Sequence, residues 1–261
     1  LNMDNTWFIE FADLRILIDP WLFGQEIDFF SWFNTQWHRT PPVQLAEVPD
    51  FDLVLITQKY PDHFHQETLK KLQPKFVIGP QSIENQLNKI LPDSKIISFN
   101  KGIHDINQKG MHIHHLPSAR KIDPIYDALV LENGEQSIFL ASHGFTSIDQ
   151  WYNELKEFPP IHVMMSPFDH YKLPFFLGGT VAPGIEGLIK LAKSLNPKHV
   201  IATHDEDKHA KGLVSKFAKI TKPNCNAKVQ CKIARQNHNA KLQGKGDITR
   251  QNSKAKSQSK I

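Results

Sequence analysis

The sequence predicts an α/β protein: two β-sheets packed together with helices outside, a four-layer αββα sandwich over residues 1–220. Three observations lead there. Short apolar runs with strand character alternate with stretches of helical period. The strand "FDLVLIT" (51–57) is apolar almost throughout, as expected of a strand buried on both faces. Each half of the region opens strand-rich and then alternates strand with helix. A hydrophobic content of 40% with 22% charged residues is that of an ordinary globular domain.

Taken in order, "TWFIEF" (6–11) and "LRILID" (14–19) flank Ala12-Asp13 and read as a hairpin. The central run 51–57 follows, with a helix expected to begin near Phe64. Further strands are expected at "KFVIG" (75–79), "KIISF" (95–99), "MHIHHL" (111–116), "YDALVLE" (126–132), "QSIFLA" (136–141), "IHVMM" (161–165) and "KHVIAT" (198–203). The "ENG" at 132–134 marks a turn. In "SIDQWYNELKEF", Ser147 and Gln150 have the spacing of a capping box, with Ile148, Trp151, Tyr152 and Leu155 on one face. "GIEGLIKLAKSL" repeats the pattern with Ile185, Leu188, Ile189, Ala192 and Leu195.

The charge is divided unevenly. Residues 221–261 hold ten Lys/Arg and one acidic residue, Asp247, whereas residues 1–220 hold 21 Lys/Arg and 26 Asp/Glu, a net −5. The basic end has no aromatic residue and few branched aliphatics, so it is expected to be a disordered tail. Such a tail attracts nucleic acid or anionic lipid non-specifically, and no motif for sequence-specific nucleic-acid binding accompanies it. Cys225 and Cys231 are too few to staple the fold and badly spaced for a zinc ribbon. No apolar run approaches the length of a bilayer span, and no secretory leader opens the chain, so the expectation is a cytoplasmic protein without a membrane role. A strand this close to Leu1 also suggests a fragment, with room for a missing upstream strand.

Chemistry gathers at "ITQKYPDHFHQETLKKL" (56–72). A buried strand ends at Thr57, and the positions just beyond such a strand are where α/β folds place ligands. Asp62 and His63 follow at a helix start, and both suit Zn²⁺, Fe or Mn. The bland alternative is that Asp62 caps the helix. Tyr60 and Lys59 leave the same turn and are candidates to donate to a substrate oxyanion. His65 reads as a helix-surface residue or a replacement ligand. His112, His114 and His115 read as a solvated or edge face rather than a ligand set. Seven aromatics crowd "WLFGQEIDFFSWFNTQW" (21–37) without a clean period, as core or lid packing or as an apolar wall over a pocket. "PFFLGGTVAPG" (174–184) is a loop that could flank that pocket. Asp205 and Asp207 read as a helix N-terminus or as partners orienting imidazoles.

The turn Thr57-Gln58-Lys59-Tyr60-Pro61-Asp62-His63 resembles the T-H-x-H-x-D-H signature of the metallo-β-lactamase superfamily. "ILIDPWL" (16–22), "SIFLASHG" (137–144) and "VIATHDED" (200–207) follow in the order of that family's other landmarks, over residues 6–215. The resemblance implies that the first of two metals has lost its ligands, since Gln58, Tyr60 and a residue near Arg120 or Lys121 stand in their places. It implies that the second keeps Asp62, His63, His143 in place of an aspartate, and His204. The implied protein is a hydrolase with a degenerate active site, holding one divalent metal, zinc first, with iron or manganese as alternatives. Asp62 and Tyr60 would then act on a small-molecule substrate, apolar or acyl. The alternative on the same fold is an inactive protein whose vacated pocket binds a ligand or partner.

Overall fold

A computed structural model of the chain describes residues 1–100, 106–118, 124–204 and 207–222. The expectations for residues near Arg120 and Lys121, for Asp205, for Cys225 and Cys231 and for the tail lie outside the described residues. The chain divides into two units, Leu1–Pro223 and Asn224–Ile261, and only the first is described below.

Two large sheets form the centre. The first has five strands in the order Trp7–Phe11, Leu14–Ile18, Leu53–Leu55, Phe76–Pro80 and Lys95–Phe99. The second has six, in the order His199–Ala202, Ile161–Ser166, Ser137–Leu140, Ala128–Glu132, Met111–Leu116 and Ile106–Gln108. The first two strands are antiparallel, with Trp7 opposite Ile18 and Phe11 opposite Leu14. Ala12 and Asp13 make the turn at φ 52° and 59°, the left-handed pair that matches strand twist in a two-residue hairpin. Strands Leu14–Ile18, Leu53–Leu55, Phe76–Pro80 and Lys95–Phe99 then run parallel, register by register.

Alternation along each strand sorts the apolar side chains into layers. Leu53 and Leu55 point inward with Ile16, Ile18 and Ile78, where they meet Ile113, Leu129, Leu131 and Leu140 of the second sheet. Val54 and Ile56 point the other way, against Leu69 and Leu87 of the helices Gln66–Leu72 and Glu84–Ile90. Val130 and Phe139 lie on the far side of the second sheet, against Leu155, Leu188 and Leu191 of the helices Tyr152–Glu157 and Gly184–Leu195. The αββα sandwich is the result.

Several expectations need correction. The helix after Ser147 starts only at Tyr152, with Trp151 at the cap and no side-chain cap bond; Ser147 instead closes a backbone turn to Gln150 N at 3.1 Å. Tyr152 is exposed, so Ile148 and Leu155 carry the buried face without it. The helix expected near Phe64 starts at Gln66 and is capped by His65, whose Nδ1 accepts from Thr68 N at 3.2 Å. His65 is therefore a buried cap, neither a surface residue nor a ligand, and the cap is not Asp62. His114 and His115 are buried on an interior strand, and His115 lies between the Asn100 carbonyl and Asp127 Oδ2, the latter at 2.9 Å. Asp207 precedes a strand, Lys208–Lys211, and accepts from Thr40 N at 3.2 Å rather than starting a helix.

The aromatic segment was not expected to hold a hairpin. Gln25–Asp28 pairs with Asn34–His38, which also pairs with Lys208–Lys211. A second small sheet joins His170–Lys172 to Thr180–Pro183 and Lys219–Thr221. Both small sheets stand over one end of the sandwich and bound the site.

Candidate metal centre

Strand ends bring the site together. Asp19 ends the second strand, Thr57 and His63 follow the third, Ser142 and His143 follow Ser137–Leu140, and His204 follows the last strand of the second sheet. Three imidazoles converge there: one ring nitrogen each of His63, His143 and His204, all within 4.8 Å of one another. The Nε2 atoms of His63 and His143 are 3.2 Å apart, and the rings of His143 and His204 meet edge to face at 4.3 Å. All three rings are buried.

Carboxylates fix two of these rings from behind. His63 Nδ1 donates to Asp19 Oδ2 at 2.7 Å, and His204 Nδ1 donates to Asp4 Oδ1 at 3.1 Å. A carboxylate can only accept, so each bond places the proton on Nδ1 and turns Nε2 towards the cluster. Asp19 is held in turn by Thr57, whose N donates to Oδ1 at 2.7 Å and whose Oγ1 donates to Oδ2 at 2.5 Å. Asp19 (φ 44°) and His204 (φ 56°) both sit in the left-handed region, which non-glycine residues enter at some cost. Gly144, at φ 86°, follows His143; a Cβ there would lie 2.7 Å from Pro183 Cγ.

Asp62 lies beside the imidazoles, with Oδ2 3.5 Å from His204 Nε2 and Oδ1 3.9 Å from His63 Nε2. Its main chain is pinned by Asn5, whose Nδ2 donates to the Asp62 carbonyl at 2.8 Å. A buried lysine completes the group: Lys208 Nζ is 3.3 Å from Asp62 Oδ2 and 3.4 Å from Asp4 Oδ2. Burial acts to raise the pKa of Asp62, but His63, Lys208, His204 and His143 together outweigh it and hold the carboxyl well below its usual range. The same contest, won chiefly by Lys208 and His204, keeps Asp4 ionised. Burial, then the neighbouring His204 and His63, push His143 well below the usual imidazole value, so it stays neutral.

The residues fit a cation. Among the described residues, three buried carboxylates (Asp4, Asp19, Asp62) lie against the imidazoles, and one buried ammonium, Lys208, is set against Asp4 and Asp62; carboxylate and imidazole donors gathered in a low-dielectric site suit a divalent ion. His143 Nδ1 is buried with no hydrogen-bond partner, and its Nε2 lies 3.2 Å from that of His63, a contact that a proton on one of the two rings or a shared ion would satisfy. Asp4, Asp62 and His204 form a second, overlapping donor group. An ion there would have to displace Lys208, so the three-imidazole set is the better site.

The beta-lactamase superfamily domain model matches residues 3–204, most of the chain. The chain belongs to the metallo-β-lactamase superfamily. Among solved structures of this superfamily's fold, the isothiocyanate hydrolase from Delia radicum gut bacteria shares 18% identity over 78% of this chain and 84% of its own, with a TM-score of 0.58. A possible metal-dependent hydrolase from Veillonella parvula shares 14% over 78% and 82%, also at 0.58. The metallo-β-lactamase fold protein YhfI from Bacillus subtilis shares 13% over 77% and 78%, at 0.53. These likenesses concern the fold. No curated protein matches the chain.

Within the superfamily frame, the structure brings Asp62, His63, His143 and His204 to one point and places Gln58 elsewhere. Gln58 is buried and donates to the Ile125 carbonyl at 2.9 Å, closing a loop in a position the resemblance gave to a metal ligand. Tyr60 lies over the site with its ring 6.5 Å from that of His143. Asp4, Asp19 and Lys208 were not singled out from the sequence. Asp19 had a signal, a carboxylate ending an apolar strand in "ILIDP", whereas Asp4 and Lys208 look like ordinary surface charges until the chain folds.

A cavity of about 410 Å³ opens over the cluster. Its floor is Asp62, His143, His204 and Lys208; Tyr60 and Lys59 form one edge. Its walls are largely apolar: Phe29 and Phe33 from the aromatic segment, and Leu173, Leu177 and Val181 from the loop at 174–184 and its flanks. Both segments thus flank the pocket, and of the seven aromatics between 21 and 37 Trp21 alone is fully buried.

Proposed function

We propose that this chain is a hydrolase that works with one divalent ion held by His63, His143 and His204, with Asp62 beside them. The observation that carries the reading is the fixing of His63 and His204 by carboxylates on their far nitrogens, the arrangement that orients imidazoles towards a metal. Zinc suits three imidazoles first, with iron or manganese as alternatives. Such an ion supplies Lewis acidity and lowers the pKa of water bound to it. Lys208 engages Asp62, so the imidazoles alone form a three-donor set that leaves room for substrate.

The chain's own residues then have distinct tasks. Asp62, ionised and buried at the pocket floor, is placed to accept a hydrogen bond from an attacking water and orient it. Tyr60 and Lys59, at the pocket edge, are placed to donate to an oxygen that gains charge. Lys208 sets a positive charge beside Asp62 at the pocket floor. The apolar walls favour an apolar or acyl small molecule, for which an ester, lactone or thioester is the simplest case.

The test is elemental analysis of protein purified without chelator, joined to a turnover screen over those substrate classes. About one equivalent of metal, lost together with turnover in His63→Ala and His204→Ala, is the expected result. Metal content unchanged in those variants would end the reading.

A second reading has one observation in its favour. Lys208 already neutralises part of the charge on Asp62 and Asp4, which is what a pocket converted to binding without chemistry would retain. Chelator-insensitive ligand binding with no turnover would favour it.

A further inference from the structure

Five large aromatics stand out in solvent on the two segments that flank the pocket, and one of them, Phe29, lines it. Phe175 is 96% exposed, Phe29 85%, Phe176 75%, Trp32 65% and Phe30 60%. They form one rim. Phe30 stacks on Trp32, and Phe176 packs on Phe217 of the helix Leu213–Phe217. That helix is tied to the aromatic hairpin, because Leu213 N and Val214 N donate to the carbonyls of Trp32 and Phe33 at 3.0 Å. Exposed large aromatics gathered in neighbouring segments mark interaction surfaces more often than singly scattered ones do.

The charge around the rim selects the occupant. Residues 1–220 carry a net −5, yet in the stretches 25–40, 170–185 and 208–222 the only acidic residues are Glu26, which is buried, and Asp28. Lys172, Lys211, Lys216 and Lys219 in those stretches are exposed. The chain then continues from Lys222 into residues 223–261, which hold nine Lys/Arg and one acidic residue. A second copy of this chain would set like charge against like charge across a two-fold axis. Exposed Trp and Phe side chains ringed by lysine match a bilayer surface bearing anionic headgroups, which takes aromatic rings at headgroup level and attracts the lysines.

We propose that this face docks on anionic membrane surfaces, with Phe29, Trp32 and Phe175 inserted at headgroup level. No described helix is long and apolar enough to cross a membrane, so the contact is peripheral. The pocket mouth then faces the lipid, and a substrate with an acyl chain would reach the metal centre without crossing water. That last consequence rests on the hydrolase reading; the docking does not.

The experiment is co-sedimentation of the full chain with phosphatidylcholine vesicles, with and without phosphatidylserine, beside sedimentation velocity without lipid. Binding is expected only to vesicles containing phosphatidylserine. It should weaken by roughly tenfold or more in the exposed-residue variant Phe29→Ser/Trp32→Ser/Phe175→Ser, and also in Lys211→Glu/Lys216→Glu/Lys219→Glu. Both variants should keep the parent's circular dichroism and its metal content. Three results would overturn the proposal: no vesicle binding, binding unchanged in the aromatic variant, which would assign it to the basic tail alone, or a lipid-free dimer that the aromatic variant dissociates. Metal loss or absent turnover would bear on the hydrolase reading only.

Discussion

His63 Nε2 faces His143 Nε2 at 3.2 Å, while His63 Nδ1 is bound to Asp19 at 2.7 Å. The imidazole from the turn after a central strand is thus clamped by a carboxylate and aimed at a second imidazole. Asp19→Asn would keep the volume and remove the charged acceptor. It should lower metal affinity by about 10–100-fold, read by competition with a chromophoric chelator. Unchanged affinity would mean that Asp19 serves the fold and not the ion.

Lys208 is the cation that Asp62 and Asp4 share, and it is buried with them. Lys208→Met removes the charge and leaves the stem's volume. Two buried carboxylates then lose their partner, and the chain should be destabilised by about 3–5 kcal/mol in chelator-treated protein. Added divalent metal should restore part of that loss, since a cation can take the vacated charge. Urea unfolding with and without metal distinguishes the two contributions.

The layer between the sheets is the largest of the three buried apolar clusters. Leu131 has no exposed surface there. Leu131→Ala should cost about 2–5 kcal/mol in urea unfolding through lost transfer energy and the cavity left behind. The metal content of the folded fraction should stay the same, because the centre hangs on strand ends rather than on this layer.

His38 lies against Trp21, with ring centroids 3.9 Å apart and Nε2 donating to the Trp21 carbonyl at 3.0 Å. Burial pushes its pKa below the ordinary imidazole value, against smaller opposing effects of Asp4 and the bond to Trp21. A depressed folded pKa means that the unfolded chain takes up the proton first as pH falls. The stability His38 contributes is therefore present above about pH 6.5 and is lost as pH falls through its folded pKa. His38→Gln should flatten the fall in urea midpoint on going from about pH 7.5 to 5.5. An identical slope in the variant would assign the acid sensitivity to other groups.

Much of this was legible along the chain, because strands and amphipathic helices write their burial into periods of two and 3.6 residues. "KIISF" and "MHIHHL" are strands over the residues the pattern marked, and "GIEGLIKLAKSL" is a helix from end to end. The pattern failed where local chemistry competes. The spacing of Ser147 and Gln150 suits a cap, yet the backbone makes a turn there and the helix waits for Tyr152. The aromatic segment concealed a hairpin because its side chains serve a pocket wall and an exposed rim instead of one buried face.

By itself the sequence determined the layers and their order, and its resemblance to the family's landmarks, rather than any period, pointed to Asp62, His63, His143 and His204. Only the tertiary structure decided what surrounds them. Asp4 lies some two hundred residues from His204 in the chain and Lys208 lies 146 from Asp62, yet each pair is in contact. Charges that pair across such distances leave no local period, because what makes them partners is the shared low-dielectric space that exists only once the two sheets have closed.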